Sequence, residues 1–102
     1  MKDCCKEYLN EQFGDDAEVL AEIYSEYVAS VRAKLVEADE ALAAGAWEKL
    51  DRVAHTIKGN ALAAGDNPMA DTAIALRKAA ALNDAEDSAS LIVRMKELEK
   101  EL

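Results

Sequence analysis

From Leu20 onward, apolar side chains return every three or four residues: Leu20, Tyr24, Tyr27, Val31, Leu35, Ala38 and Leu42. Alternating steps of three and four trace one face of an α-helix, whereas a half-buried strand hides every second residue. The row covers about six helical turns and can be buried only against other long elements. Three further rows supply them: Leu50, Val53, Ala54, Ile57, Ala61 and Ala64; Met69, Ala73, Leu76 and Ala80; and Leu91, Met95, Leu98 and Leu102. Of the 102 residues, 21 are alanine, only 5% are aromatic and one is proline. Alanine loses no side-chain entropy in a helix, while a β-sandwich or barrel needs far more β-branched and aromatic residues.

The four glycines and the proline divide the rows. Asp3 to Gln12 reads as a short helix capped by Asp3 and stopped near Gly14. Asp15 or Asp16 can cap the long second helix, with Glu18 in capping-box spacing to Asp15, and Gly45 suits its left-handed end. The third helix spans Ala46 to Ala64 and breaks at Gly65. Asn67 is the expected cap of the fourth, followed by Pro68 in its first turn, and Asn83 with Asp84 separates the fourth from the fifth. Trp47 is placed to anchor the start of the third helix against its neighbours. Short connections favour antiparallel neighbours, so the expected fold is all-α, an antiparallel up-down four-helix bundle with a short additional N-terminal helix, built as one domain over residues 1–102.

A formal charge of −9 argues against a nucleic-acid binder, which needs a basic stripe for phosphates. Cys4 and Cys5 are adjacent and cannot close a long loop; they read as small apolar packing residues. No stretch approaches the ~18 apolar residues of a membrane span, and MKDCC has no apolar leader. The chain therefore reads as soluble, reduced and cytoplasmic, with no cofactor and no metal.

The chemistry concentrates on one side of the third helix, in HTIKGNALAAG, residues 55–65. At about 100° per residue, His55 lies roughly 140° from the apolar stripe and Gly59 about 180° from it. A glycine inside a helix costs about 1 kcal/mol relative to alanine, and no boundary falls at Gly59. Its use is to leave room for another molecule beside the imidazole. No second histidine exists to build a zinc site, and no nucleophile is held beside His55 to build a catalytic pair. A neutral imidazole is itself a nucleophile near neutral pH. It can accept a phosphoryl group while its partner supplies Mg²⁺ and charge stabilisation. Holding phosphate on so acidic a chain requires a local basic patch, which Arg52, Lys58, Arg77 and Lys78 can provide.

HTIKGNALAAG resembles the signature of histidine phosphotransfer (HPt) domains. FGDDAEVLAEIYSEYVASV is similar to that family's entry into its second helix, and AGAWEKLDRVAHTIKGN to its approach to the phosphorylated one. The resemblance implies a phosphorelay carrier, not an autonomous enzyme. His55 would accept a phosphoryl group on Nε2 from a receiver-domain aspartate or a histidine kinase and pass it to another receiver. Lys58 would steady the phosphoryl charge and Gly59 would give the receiver clearance. Arg52, Asn60, Leu62, Ala63 and Arg77 would contribute to the partner face. A helical module that docks a receiver or kinase without phosphoryl transfer is the alternative. One departure stands out: family members often place Glu or Gln on the fourth helix to accept from the imidazole Nδ1–H, and this chain has Arg77 there. A guanidinium only donates, so it either meets phosphoryl oxygens or points to solvent.

Overall fold

The computed structural model describes all 102 residues, with five helices and no strand: α1 (Asp3–Phe13), α2 (Ala17–Ala43), α3 (Trp47–Ala64), α4 (Asn67–Ala81) and α5 (Ala85–Lys100). Each of α2 to α5 packs on the next, and α5 returns to α2 to close the ring. Cross-links fix the directions. Arg32 and Asp39 of α2 pair with Glu99 and Lys96 of α5, so one helix descends as the other climbs. Ser30 with Asn60 ties α2 to α3, and Asp51 with Arg77 ties α3 to α4, in the same antiparallel sense. The chain is an all-α up-down bundle with α1 resting on one end of α2 and α3. The 27 residues of α2 span about 40 Å at 1.5 Å per residue, which accounts for the 43 Å long dimension of the molecule.

Eighteen residues of the predicted rows lie in a core of 23 buried side chains, which Cys5 and Leu9 of α1 with Ala41, Ala70 and Ile92 complete; Trp47 packs against it at the start of α3. Two rows drift at their ends, because a 3.6-residue turn satisfies neither a three- nor a four-residue step indefinitely. Ala41 takes the inner place at the end of α2 and leaves Leu42 half-buried; Ile92 does the same for Leu91 in α5.

The helix starts correct the sequence reading in two places. Lys2, not Asp3, occupies the cap position of α1, and no side chain caps it. Lys2 is held there by its backbone N–H donating to Tyr24 Oη and its ammonium to Asp66. Asp66, not Asn67, caps α4, accepting from the Met69 N–H, and Pro68 follows within the first turn. Asp16 caps α2 and Asp84 caps α5.

Asp66 is also the polar centre of the bundle's closed end. Its carboxylate is fully buried, which costs several kcal/mol for an unpaired ion, and three donors offset that. Tyr27 Oη donates to Oδ2 at 2.6 Å, Lys2 Nζ approaches Oδ1 at 3.2 Å, and the Met69 N–H completes the set at 3.5 Å. Helices α1, α2 and α4 thus share one carboxylate. Burial first, then the charge of Asp66, pushes the neighbouring Cys5 thiol up to about 12. Burial and the hydrogen bond to Asp66 likewise hold the proton on Tyr27 far above the ordinary phenol range.

The turn before Asp66 is closed by its N–H donating to the Ala61 carbonyl at 2.8 Å across Gly65 at φ 74°. The same six-to-one closure joins Ala46 to Ala41 and Asp84 to Ala79, the latter over Asn83 at φ 52°. Gly65 bears a second constraint: a Cβ there would lie 2.3 Å from Cβ of Tyr8 on α1.

Two predictions follow from this end of the bundle. Gly65→Ala combines left-handed strain with a collision against α1, and should destabilise by about 2–4 kcal/mol in urea unfolding followed by helical ellipticity; a loss below about 1 kcal/mol contradicts the packing of α1 on this turn. Cys5 and Tyr27 keep their protons in the folded chain to higher pH than in the unfolded one. The folded chain therefore binds more protons above pH 9.0, the ordinary value for a free thiol, so stability is complete below that pH and declines as pH rises. The melting temperature should hold level from neutrality to about pH 9 and then fall, with a shallower fall in Cys5→Ala.

Candidate functional site

The rotational setting of α3 is fixed by Leu50, Ala54, Ile57 and Ala61, all at 0% exposure. The opposite face is consequently open. Glu48, Arg52, His55, Gly59, Leu62 and Ala63 are all exposed on it. His55 stands near the middle of the helix, about 16 Å along the axis from Asp66 by residue rise. Gly59 lies one turn beyond His55, and a Cβ added there would meet nothing within 4 Å. The chain itself therefore makes no packing use of this glycine; the space is left beside the imidazole. Leu62, 48% exposed, and Ala63 continue the face with apolar surface.

The remaining predicted residues separate into two groups. Arg52, Lys58, Arg77 and Lys78 line a cleft of about 880 Å³ between α3 and α4, together with Glu48 and Asp51. Four cations against two carboxylates make this a locally basic strip on a chain of charge −9. Asn60 turns the other way. It is half-buried, and its Nδ2 donates to Ser30 Oγ at 2.7 Å, tying α3 to α2.

Arg77 does not simply point to solvent. Its Nε donates to Asp51 Oδ1 at 2.9 Å, and its Nη1 lies 3.1 Å from His55 Nδ1. A guanidinium has no acceptor, so Nδ1 accepts in this pairing. Nε2 makes no hydrogen bond within the chain. The physical reason is the register of α3 against α4. Arg77 faces both Asp51 and His55, which lie four residues apart on one side of α3, and the acidic member holds the guanidinium against the imidazole.

Asp51 and Ser30 were not singled out from the sequence. Asp51 carries the spacing signal of residue i−4 to a histidine on a shared helix face. Ser30 carries none, because its partnership depends on how two helices align. The one grouping of three potential metal ligands, Cys4, Cys5 and Asp66 with ligand atoms within 4.8 Å, lies at the closed end, where Asp66 is already occupied by Lys2 and Tyr27. No helix is long and apolar enough to cross a membrane.

A solvent-facing imidazole on a helix with one buried face, a basic strip along one side and an unfilled glycine position beyond it form an open surface. They do not form a pocket that encloses a small substrate. No curated protein and no solved structure matches the chain significantly. A family model described as Hpt domain matches residues 22–102, from the second turn of α2 to the last residue, and includes the whole of this surface. The chain therefore belongs to the Hpt domain family, the histidine phosphotransfer modules of phosphorelay signalling, which are phosphocarriers rather than enzymes.

Proposed function

We propose that the 102 residues act as one phosphorelay intermediate in which Nε2 of His55 receives and returns the phosphoryl group. The observation that carries this reading is the exposed His55 ring, engaged at Nδ1 and unengaged at Nε2. In the accepting direction Nε2, once its proton has passed to solvent, forms a bond to phosphorus through its lone pair as the phosphorus–oxygen bond to a receiver aspartate breaks. The bonding electrons leave with the aspartate carboxylate. Onward transfer to a second receiver reverses the first step. The partner supplies Mg²⁺ and the charge stabilisation of the in-line transfer, since this chain needs only to present the nucleophile.

The other site residues fit this use. Lys58, from the cleft side, brings positive charge near the transferred group, and Arg52 extends that charge along the outer face. Gly59 admits the partner's backbone, and Leu62 with Ala63 offers it apolar contact. Asn60 acts from beneath, fixing α3 to α2 so that the presenting helix does not roll. The free cysteines suit a reducing compartment, and the reading places the chain in the cytoplasm beside its receivers and kinases.

Incubation with a phosphorylated receiver and Mg²⁺ should yield acid-labile label on the wild-type chain and none on His55→Gln. Label retained in that variant refutes the assignment of His55. Signalling that survives fully in His55→Gln cells supports instead a docking module without transfer. A second variant tests the clearance. Gly59→Trp should slow transfer at least tenfold, the scale on which a misplaced partner costs rate, while helicity and melting temperature stay near wild type. Unimpaired transfer by a folded Gly59→Trp chain removes that role.

A further inference from the structure

Resting on that reading, we infer that Arg77, held by Asp51, is a positioning residue that sets the tautomer of the empty carrier: by donating to Nδ1 it keeps the ring's single proton on Nε2, the nitrogen that must attack. A neutral imidazole has one N–H and one lone-pair nitrogen. With Nη1 of Arg77 at 3.1 Å from Nδ1, Nδ1 is the lone-pair nitrogen and Nε2 carries the proton. The nucleophilic pair is then spent on a guanidinium, on the side of the ring that faces α4, while the open side presents N–H. The arrangement is held from behind. Asp51 accepts from Nε of the same guanidinium at 2.9 Å, so Arg77 is gripped between an anion and the imidazole and does not swing freely.

Transfer requires the opposite tautomer. The Nε2 proton passes to solvent water, Nδ1 takes a proton from solvent, and the ring's proton count is unchanged. Arg77 must withdraw Nη1 before Nδ1 can be protonated, because two donors cannot share that position. Only then does Nε2 have a lone pair for phosphorus. What draws Arg77 away is the donor itself. A phosphoryl group brings oxygens with more than one negative charge, and these hold a guanidinium better than a neutral ring nitrogen does. Arg77 and Asp51 are both about two-fifths exposed, so the hold is screened by water and reversible. Arrival of the phosphoryl group thus releases the ring that is to accept it. An empty carrier that meets an electrophile without such charge stays in its unreactive form.

The test uses diethyl pyrocarbonate, an uncharged acylating reagent that needs an imidazole lone pair and gives Arg77 no phosphoryl oxygens to grip. His55 is the only histidine, so N-carbethoxyhistidine absorbance reports it alone. Arg77→Gln should react roughly three- to tenfold faster than wild type, the span expected for loss of a screened charge-assisted bond, and Asp51→Asn should fall between them. In parallel, ¹⁵N spectra of the ring should place wild-type Nδ1 in the unprotonated range and shift it toward the protonated range in Arg77→Gln. A wild-type ring protonated on Nδ1 overturns the inference without reference to any variant. Equal reagent rates and equal Nδ1 shifts in a folded Arg77→Gln chain overturn it as well. Neither readout involves phosphoryl transfer. A chain that shows the Arg77 effects but takes no label refutes only the carrier reading, and one that takes label without them refutes only the tautomer.

Discussion

Helix α3 has four fully buried side chains on one stripe, two of them alanines that let neighbouring helices come close, and this leaves it a single rotational setting. Turning the helix by one residue, about 100°, would drive His55 or Lys58 toward the core and expose Ile57. The cost of burying an unpaired polar group, added to the lost burial of Ile57, excludes that alternative. The outward stance of His55, Gly59 and Leu62 is therefore a consequence of core packing on the far side of the same helix. Close contact of α3 with both α2 and α4 then makes the stance rigid, as the function proposed for His55 requires.

The polar end of the bundle does a different job. Asp66 draws Lys2, Tyr27 and the first turn of α4 onto one buried carboxylate, an arrangement whose pairings must all be present together because a half-satisfied buried ion is destabilising. It fixes where α1 lies and where the α3–α4 turn closes. In doing so it sets the register that brings Arg77 opposite Asp51 and His55. The buried carboxylate of Asp66 and the exposed ring of His55 thus lie at separate positions along the bundle, joined through α3 and α4.

Much of this was legible in the sequence. The rows at helical spacing gave the number and extent of the long helices, and the phase of His55 and Gly59 followed from the angle between residues on a single helix. These are local quantities, determined within one turn or two. What escaped the sequence is non-local. Asp66 outcompetes Asn67 for the cap because Tyr27 and Lys2, distant in the chain, meet it there. Asn60 reads as a surface residue until Ser30 is set beneath it. Arg77 was legible as a departure from the family pattern, yet its contact with Nδ1 depends on the stagger of α3 against α4, for which no spacing rule exists. The terminal drift of the rows, Ala41 for Leu42 and Ile92 for Leu91, is the smaller cost of treating a 3.6-residue turn as whole steps.

The open stance of His55 has a final consequence. No loop or neighbouring helix roofs the ring, so anything bonded to it sits in bulk water from the moment a partner departs. Its lifetime is then governed by the intrinsic lability of the new bond, and the fold neither prolongs nor shortens it by enclosure. Under the proposed function such a surface suits brief custody: the cargo survives only if the next visitor comes before hydrolysis does, and the abundance of visitors becomes the clock.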